Sequence, residues 1–127
     1  MKQWYKTRKK DPFYIKAKKN DIISRAYYKL EEIDKKHNLF KNDKKILDVG
    51  CSPGGWTQYI LNKHPKNKIV GIDILPTVKQ IEGKFKFYMM DLNQYQLIDE
   101  LFTSNKYTFD SIISDIAPNT CLLYTSP

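Results

Sequence analysis

Residues 46–56, Ile46-Leu47-Asp48-Val49-Gly50-Cys51-Ser52-Pro53-Gly54-Gly55-Trp56, bring an acid, three glycines, a proline and an indole into one short stretch. An apolar run ending in an acid, then a Gly/Pro turn, then a segment able to be helical, reads as a strand, a tight loop and a helix N-terminus. In an open α/β sheet, ligands sit beyond the carboxyl ends of the strands, against such loops. Glycine lets the backbone come close to a ligand because no Cβ intervenes. The chemistry suggested is the holding of a small cofactor. Gly50, Gly54 and Gly55 are spaced G-x-x-x-G-G rather than the G-x-G-x-x-G of dinucleotide sites. Trp56 and Thr57 stand where a P-loop needs Lys and Ser/Thr. Both phosphate-cradle readings therefore fit poorly, and a plain glycine-rich strand-to-helix turn is the alternative.

Three more acids end apolar runs. Lys68–Asp73 reads as a second strand, and Asp73 lies 25 residues after Asp48. An acid there suits ribose hydroxyls, since its two oxygens accept from two neighbours, or it is a strand-end turn Asp. Phe85–Met90 reads as a third strand leading into Asp91-Leu92, and Phe109–Asp115 as a fourth. The elements that must position these residues are short helices. Ser24 is expected to cap a helix through about Lys36, with Ala26, Leu30 and Ile33 inward. Lys29 borders that face, and periodicity alone has it snorkel to the surface. Thr57–Lys63 completes a helix after the glycine loop, and Tyr95–Phe102 forms another with Leu97, Ile98 and Leu101 inward. His37 and His64 read as surface residues.

The acid-x-Gly and Pro-Gly-Gly pattern resembles the first motif of S-adenosylmethionine-dependent methyltransferases. In the form D-V-G-C-S-P-G-G-W-T-Q it is similar to the FtsJ/RrmJ-type RNA ribose 2′-O-methyltransferases. Ser24-Arg25-Ala26-Tyr27-Tyr28-Lys29-Leu30 matches that family's S-R-A-x-x-K-L motif. Asp115-Ile116-Ala117-Pro118-Asn119 resembles D-M-A-P-N with Ile116 for Met, and the segment from Trp4 resembles W-Y-x-x-R-x-x-D-P-(F/Y). The resemblance covers about residues 1–120. It implies a Rossmann-like α/β methyltransferase fold with strand order 3-2-1-4, truncated after the fourth strand and preceded by a basic helical extension. The divisions would fall at residues 1–40, 41–120 and a departing tail, 121–127. It implies S-adenosyl-L-methionine held by Asp48, Gly50, Pro53, Gly54, Gly55, Trp56, Asp73, Asp91, Leu92 and Asp115, with Asp91 reading the adenine amino group and Leu92 packing on the ring. Lys29 and Asp115 match the first two members of a K-D-K-E catalytic tetrad. Nothing matches the second Lys or the Glu, so this 127-residue chain is expected to be inactive or nearly so.

Net charge is +8, and its placement is uneven: 15 Lys/Arg against 6 Asp/Glu up to residue 45, then 7 against 8. A basic segment joined to a neutral domain suits a phosphate-rich partner, or is a solvated Lys-rich surface. Lys9, Lys10, Lys18, Lys19 and Arg25 are the candidate RNA contacts; Trp4, Tyr5, Phe13 and Tyr14 stack on bases or anchor the arm on its own domain. With the resemblance, the expected substrate is large-subunit (23S-type) ribosomal RNA uridine. Transfer RNA methylation within the same family, a small-molecule or protein methyltransferase, and a non-catalytic RNA-binding fragment are the alternatives. The basic first 45 residues favour RNA. No apolar run of about 18 residues predicts a membrane span, and the Lys-rich start lacks the apolar core of a secretory signal. Cys51 and Cys121 have no metal-binding spacing and no disulfide framework, so reduced thiols in a cytoplasmic, metal-free monomer are expected. With strands ending at the fourth, Ser111–Ser114 is expected to be an exposed edge prone to aggregation, in a domain of doubtful stability.

Overall fold

A computed structural model describes residues 21–77, 79–115 and the backbone of 122–125. Lys9, Lys10, Lys18, Lys19, the aromatics of the first twenty residues and Ile116–Asn119 lie outside the described residues. The order is α1 (Ala26–His37), β1 (Lys45–Val49), α2 (Gly55–Lys63), β2 (Lys68–Asp73), β3 (Phe85–Met89), α3 (Tyr95–Ser104), β4 (Ser111–Ser114) and β5 (Leu122–Thr125). The sheet runs β3-β2-β1-β4-β5. β1 pairs in parallel with β2 and β4, and β2 with β3. The expected 3-2-1-4 order is present.

β4 is not the open edge expected from the sequence. β5 pairs with it antiparallel, Ser111 opposite Thr125 through Ser114 opposite Leu122. Leu-Leu-Tyr-Thr is a β-favouring run, and β4 offers it a free row of backbone donors and acceptors.

Near-continuous apolar strands are what a parallel sheet covered on both faces requires. Ile46, Ile69 and Ile113 face α1 and α2, where they join Leu30, Trp56, Tyr59, Ile60 and Leu61 in the main core. Leu47, Val70 and Ile72 point the other way, toward Ile98, Phe102, Tyr107 and Phe109. Gly71 is a close-approach position: a Cβ there would lie 2.7 Å from Cys51 Sγ and 2.8 Å from the Phe85 ring.

Several helix expectations need correction. Ser24 is not the cap of α1. Arg25 takes that position with no side-chain cap bond, and the Ser24 hydroxyl is buried without a partner, because it packs over Gly55 of α2. Leu30 faces inward as expected and Ala26 packs against the core, but the buried face of α1 is completed by Tyr27, Tyr28 and Asp34 rather than by Ile33. Tyr27 packs edge-on against both Tyr28 and Tyr59, and the bonds to Asp34 draw that acid inward. His64 is no surface residue: its side chain is 21% exposed and its Nε2 lies 2.8 Å from Asp34 Oδ2. On α3, Leu97 is 49% exposed; the packed face is Ile98 and Phe102, which meet Tyr107 and Phe109. β3 and β4 are shorter than expected, ending at Met89 and spanning Ser111–Ser114.

Ile60 is fully buried between the helices and the sheet. Ile60→Ala is expected to cost about 2–5 kcal/mol, read as a lowered urea midpoint with an unchanged slope.

Candidate active site

The loop after β1 is held from below by β2. Gly50, at φ 70°, and Cys51 both donate their amides to the Ile72 carbonyl (2.8 and 3.3 Å). Asp73, at the end of β2, then ties two loops together: Oδ2 accepts from the Ser52 amide (2.8 Å) and Oδ1 from the Leu75 amide (3.0 Å). Ser52 Oγ donates in turn to the Leu75 carbonyl (2.5 Å). Met90 donates its amide to the Asp73 carbonyl (2.9 Å), which sets Asp91, one residue on, beside the same strand ends. Asp91 Oδ1 accepts from the Asn93 amide (2.9 Å), and Leu92 is 37% exposed.

Two adjacent glycines start α2 for separate reasons. Gly54 sits at φ 117°, where side chains rarely go, and a Cβ would come 2.7 Å from Ile81 Cδ1. Gly55 has ordinary backbone angles, but its Cβ would collide with Ser24 Oγ and press on the Tyr27 amide at 3.1 Å. The first glycine shapes the turn, and the second lets the start of α1 lie on the start of α2.

Asp48 is the buried acid of the set, 1% exposed, with Thr57 Oγ1 of α2 donating to its Oδ2 (2.8 Å). Burial pushes its carboxyl up to about 7; Thr57 opposes that, and the charges of Asp115 and Asp73 add to it. Burial, with the charges of Asp48 and Asp73 adding to it, raises the Cys51 thiol to about 12, which leaves it a packing group rather than a nucleophile. Asp115 follows β4. Desolvation raises its pKa and the Lys29 ammonium opposes the rise, so Lys29, exposed on α1, reaches Asp115 electrostatically across the gap.

One cleft gathers Asp48, Gly50, Pro53, Gly55, Trp56 and Asp115, together with Ala26, Cys51 and Ser52. It lies where β1 and β4 diverge, the switch point at which open α/β sheets bind ligands. Asp73 stands behind it through Ser52; Asp91 and Leu92 do not line it. Trp56 brings an indole N–H that is buried with no partner, a donor that a ligand acceptor would satisfy. Together with two lining acids, Asp48 and Asp115, for a cationic ligand, this fits an amino-acid sulfonium nucleoside. Sequence reasoning missed Ala26, Cys51, Ser52 and Thr57 as parts of the site. The motif named their positions, but only the fold shows that Thr57 holds Asp48 and Ser52 holds Asp73. Among the described residues no cluster of His, Cys, Asp and Glu could hold a metal ion, and no helix is long and apolar enough to cross a membrane.

A family model described as FtsJ-like methyltransferase matches residues 22–127. The chain is similar to the ribosomal RNA large subunit methyltransferase E of Novosphingobium aromaticivorans, 40% identical over 118 residues, covering 93% of this chain and 52% of that protein. To the same-named protein of Buchnera aphidicola subsp. Cinara cedri it is 36% identical over 122 residues, covering 94% and 57%. A crystal structure of a ribosomal RNA methyltransferase from Plasmodium falciparum is similar with a TM-score of 0.62 at 33% identity, over 77% of this chain and 58% of that one. The chain thus spans about half the length of the curated relatives it matches.

Asp48 sets a pH test. Its folded pKa lies near 7 and its unfolded value near 3.9. From about pH 4 to 7 the folded state keeps a proton that the unfolded chain has lost, so this group's stabilisation is complete below pH 4 and lost as pH rises through 7. The slope is at most ~1.4 kcal/mol per pH unit. Asp48→Asn keeps an oxygen for Thr57 and does not titrate. Its melting temperature is expected to fall less than that of the wild type between pH 5 and 8; parallel pH profiles would contradict the assignment.

Proposed function

The chain belongs to the FtsJ-like methyltransferase family, and from that premise we propose that this cleft binds S-adenosylmethionine and serves methyl transfer to an RNA ribose 2′-hydroxyl. Large-subunit ribosomal RNA is the proposed substrate, since that is what the names of the similar proteins give. The observation that carries the reading is the convergence of the glycine loop, Asp48, Trp56 and Asp115 on one switch-point cleft, with the Lys29 charge felt at Asp115.

Bound S-adenosylmethionine supplies an already activated methyl group, so the protein's task is chiefly placement of the two reactants. Gly50, Pro53, Gly54 and Gly55 give the cofactor close backbone, and the Trp56 N–H donates to it. Asp73 keeps lone pairs beyond the two amide bonds it accepts and offers them to ribose hydroxyls. Asp91 reads the adenine amino group and Leu92 packs on the ring. Lys29 and Asp115 face the reacting centre: the ammonium orients the RNA hydroxyl, and the carboxylate holds the ammonium. The second Lys of the tetrad, which the resemblance implies takes the proton of that hydroxyl, has no match among the 127 residues. Arg25, with Lys9, Lys10, Lys18 and Lys19, forms the RNA-binding set, and its net positive charge suits a polyanion. Residues 1–40 serve the RNA and carry Lys29, 41–120 hold the cofactor, and within the tail, 121–127, Leu122–Thr125 continues the sheet. The proposed location is the cytoplasm.

Calorimetric titration of S-adenosylmethionine into this chain, with Asp73→Ala beside it, tests the cofactor assignment. Loss of hydrogen bonds to a charged group is expected to weaken binding about 10- to 100-fold. Equal affinity in the two proteins, or no heat from a folded wild type, rejects the site.

A further inference from the structure

The proposed function gives Lys29 a task that depends on where α1 lies, and in the cleft only the start of that helix is held, by the close approach of Ser24 and Ala26 to Gly55. α1 and α2 run in the same direction: Gly55 and Ser24 meet at their starts, Tyr27 in the first turn of α1 meets Tyr59 midway along α2 with ring centroids 5.2 Å apart, and Asp34 in the last turn of α1 meets His64 at the end of α2. Lys29 projects from α1 between these contacts.

The lower contact is built around one acid. Asp34 is 6% exposed and accepts four hydrogen bonds. Tyr59 Oη donates to Oδ2 at 2.6 Å and His64 Nε2 lies 2.8 Å from the same oxygen, while the Leu39 and Phe40 amides donate to Oδ1 at 2.9 and 3.3 Å. An ionised carboxylate only accepts, so His64 Nε2 carries its hydrogen here. Burial raises the Asp34 pKa, but the bonds from Tyr59, His64 and Phe40 outweigh it and the net displacement is downward, so the acid is charged at neutral pH. Glu31 is the other acid near this junction, with Lys35 and Lys63 each 3.9 Å from its carboxylate. These four bonds join the end of α1, the turn after it and the end of α2 at one point. None of them touches the cleft.

We infer that Asp34, acting through Tyr59 and His64, is a positioning residue that locks the register of α1 on α2 and so sets the reach of Lys29 to Asp115. Gly55 is the matching contact at the other end, where it lets the helices approach. The inference rests on the proposed roles of Lys29 and Asp115, but its physical content is the distance between two charges, which can be read without cofactor or RNA.

The test is the titration of the Asp115 carboxyl in this chain, followed by carboxyl-carbon NMR with nothing bound. Lys29→Met is expected to raise the Asp115 midpoint, because it removes the opposing ammonium. Asp34→Asn is expected to raise it in the same direction, and the double variant to add nothing beyond Lys29→Met alone. Tyr59→Phe and His64→Gln, each removing one strand of the lock, carry the same test should Asp34→Asn fail to fold. A merely structural Asp34 predicts a lower melting temperature with the Asp115 midpoint at its wild-type value, and that result overturns the inference. Absence of S-adenosylmethionine binding by the folded wild type would reject the proposed function while leaving the titration result, and the lock, standing.

Discussion

The site depends on burying one acid. Asp48 lies one residue before the end of the central strand at 1% exposure, close to the place where the chain must stop being sheet and turn over toward α2. A carboxyl group in such surroundings is costly unless it is bonded or neutral. Here both remedies operate: Thr57, one turn into α2, donates to it, and its affinity for a proton is raised to about 7. The bond that answers the burial is therefore the same bond that fixes where α2 starts relative to β1. The glycine loop between them is held at both ends, and below it is pinned to β2 through the Ile72 carbonyl and the Asp73 carboxylate. Cleft shape follows from those few bonds.

Much of this was legible in the residues. β2 is bounded as expected because the run Ile69 to Ile72 between Lys68 and Asp73 leaves little choice, and the parallel order follows from the alternation of such runs with helices. The motif positions Asp48, Gly50, Pro53, Gly55, Trp56 and Asp115 line one cleft. What was not legible depends on pairing across the chain. His64 reads as a loop histidine because its partner, Asp34, is thirty residues away. Asp34 itself reads as one more charge on a charged helix. Ser24 has the residue type and place of a cap, yet the space over Gly55 claims its hydroxyl. Leu97 has the right composition to face inward, but the aromatic cluster of Phe102, Tyr107 and Phe109 turns α3 the other way. β5 was hidden because four residues of β-favouring type announce a strand only when an edge is there to receive them.

The two faces of the sheet are unequal. Among the described residues, one is closed by α1 and α2 in a cluster of twelve buried side chains; the other carries three buried residues with half-buried aromatics of α3 and its flanks against them. The closed face holds the strand-to-helix turn and the Lys29 helix. Rigidity is thus concentrated where placement to a fraction of an ångström matters, and the looser packing lies behind the sheet, where only support is needed.

The parallel run of α1 and α2 has an electrostatic consequence of its own. Both helices begin beside the cleft, Ala26 opening α1 and Gly55 and Trp56 opening α2, and neither has an acidic residue in its first turn. Each helix start carries about half a positive charge from its unpaired amides. Two such starts converge on a cleft whose side chains include Asp48 and Asp115, with Asp73 close behind. The counterweight to those acids is built largely into the backbone, so it does not exchange with solvent ions and would survive wholesale changes in surface lysines. The field at the cleft belongs to the fold rather than to the lysines outside it.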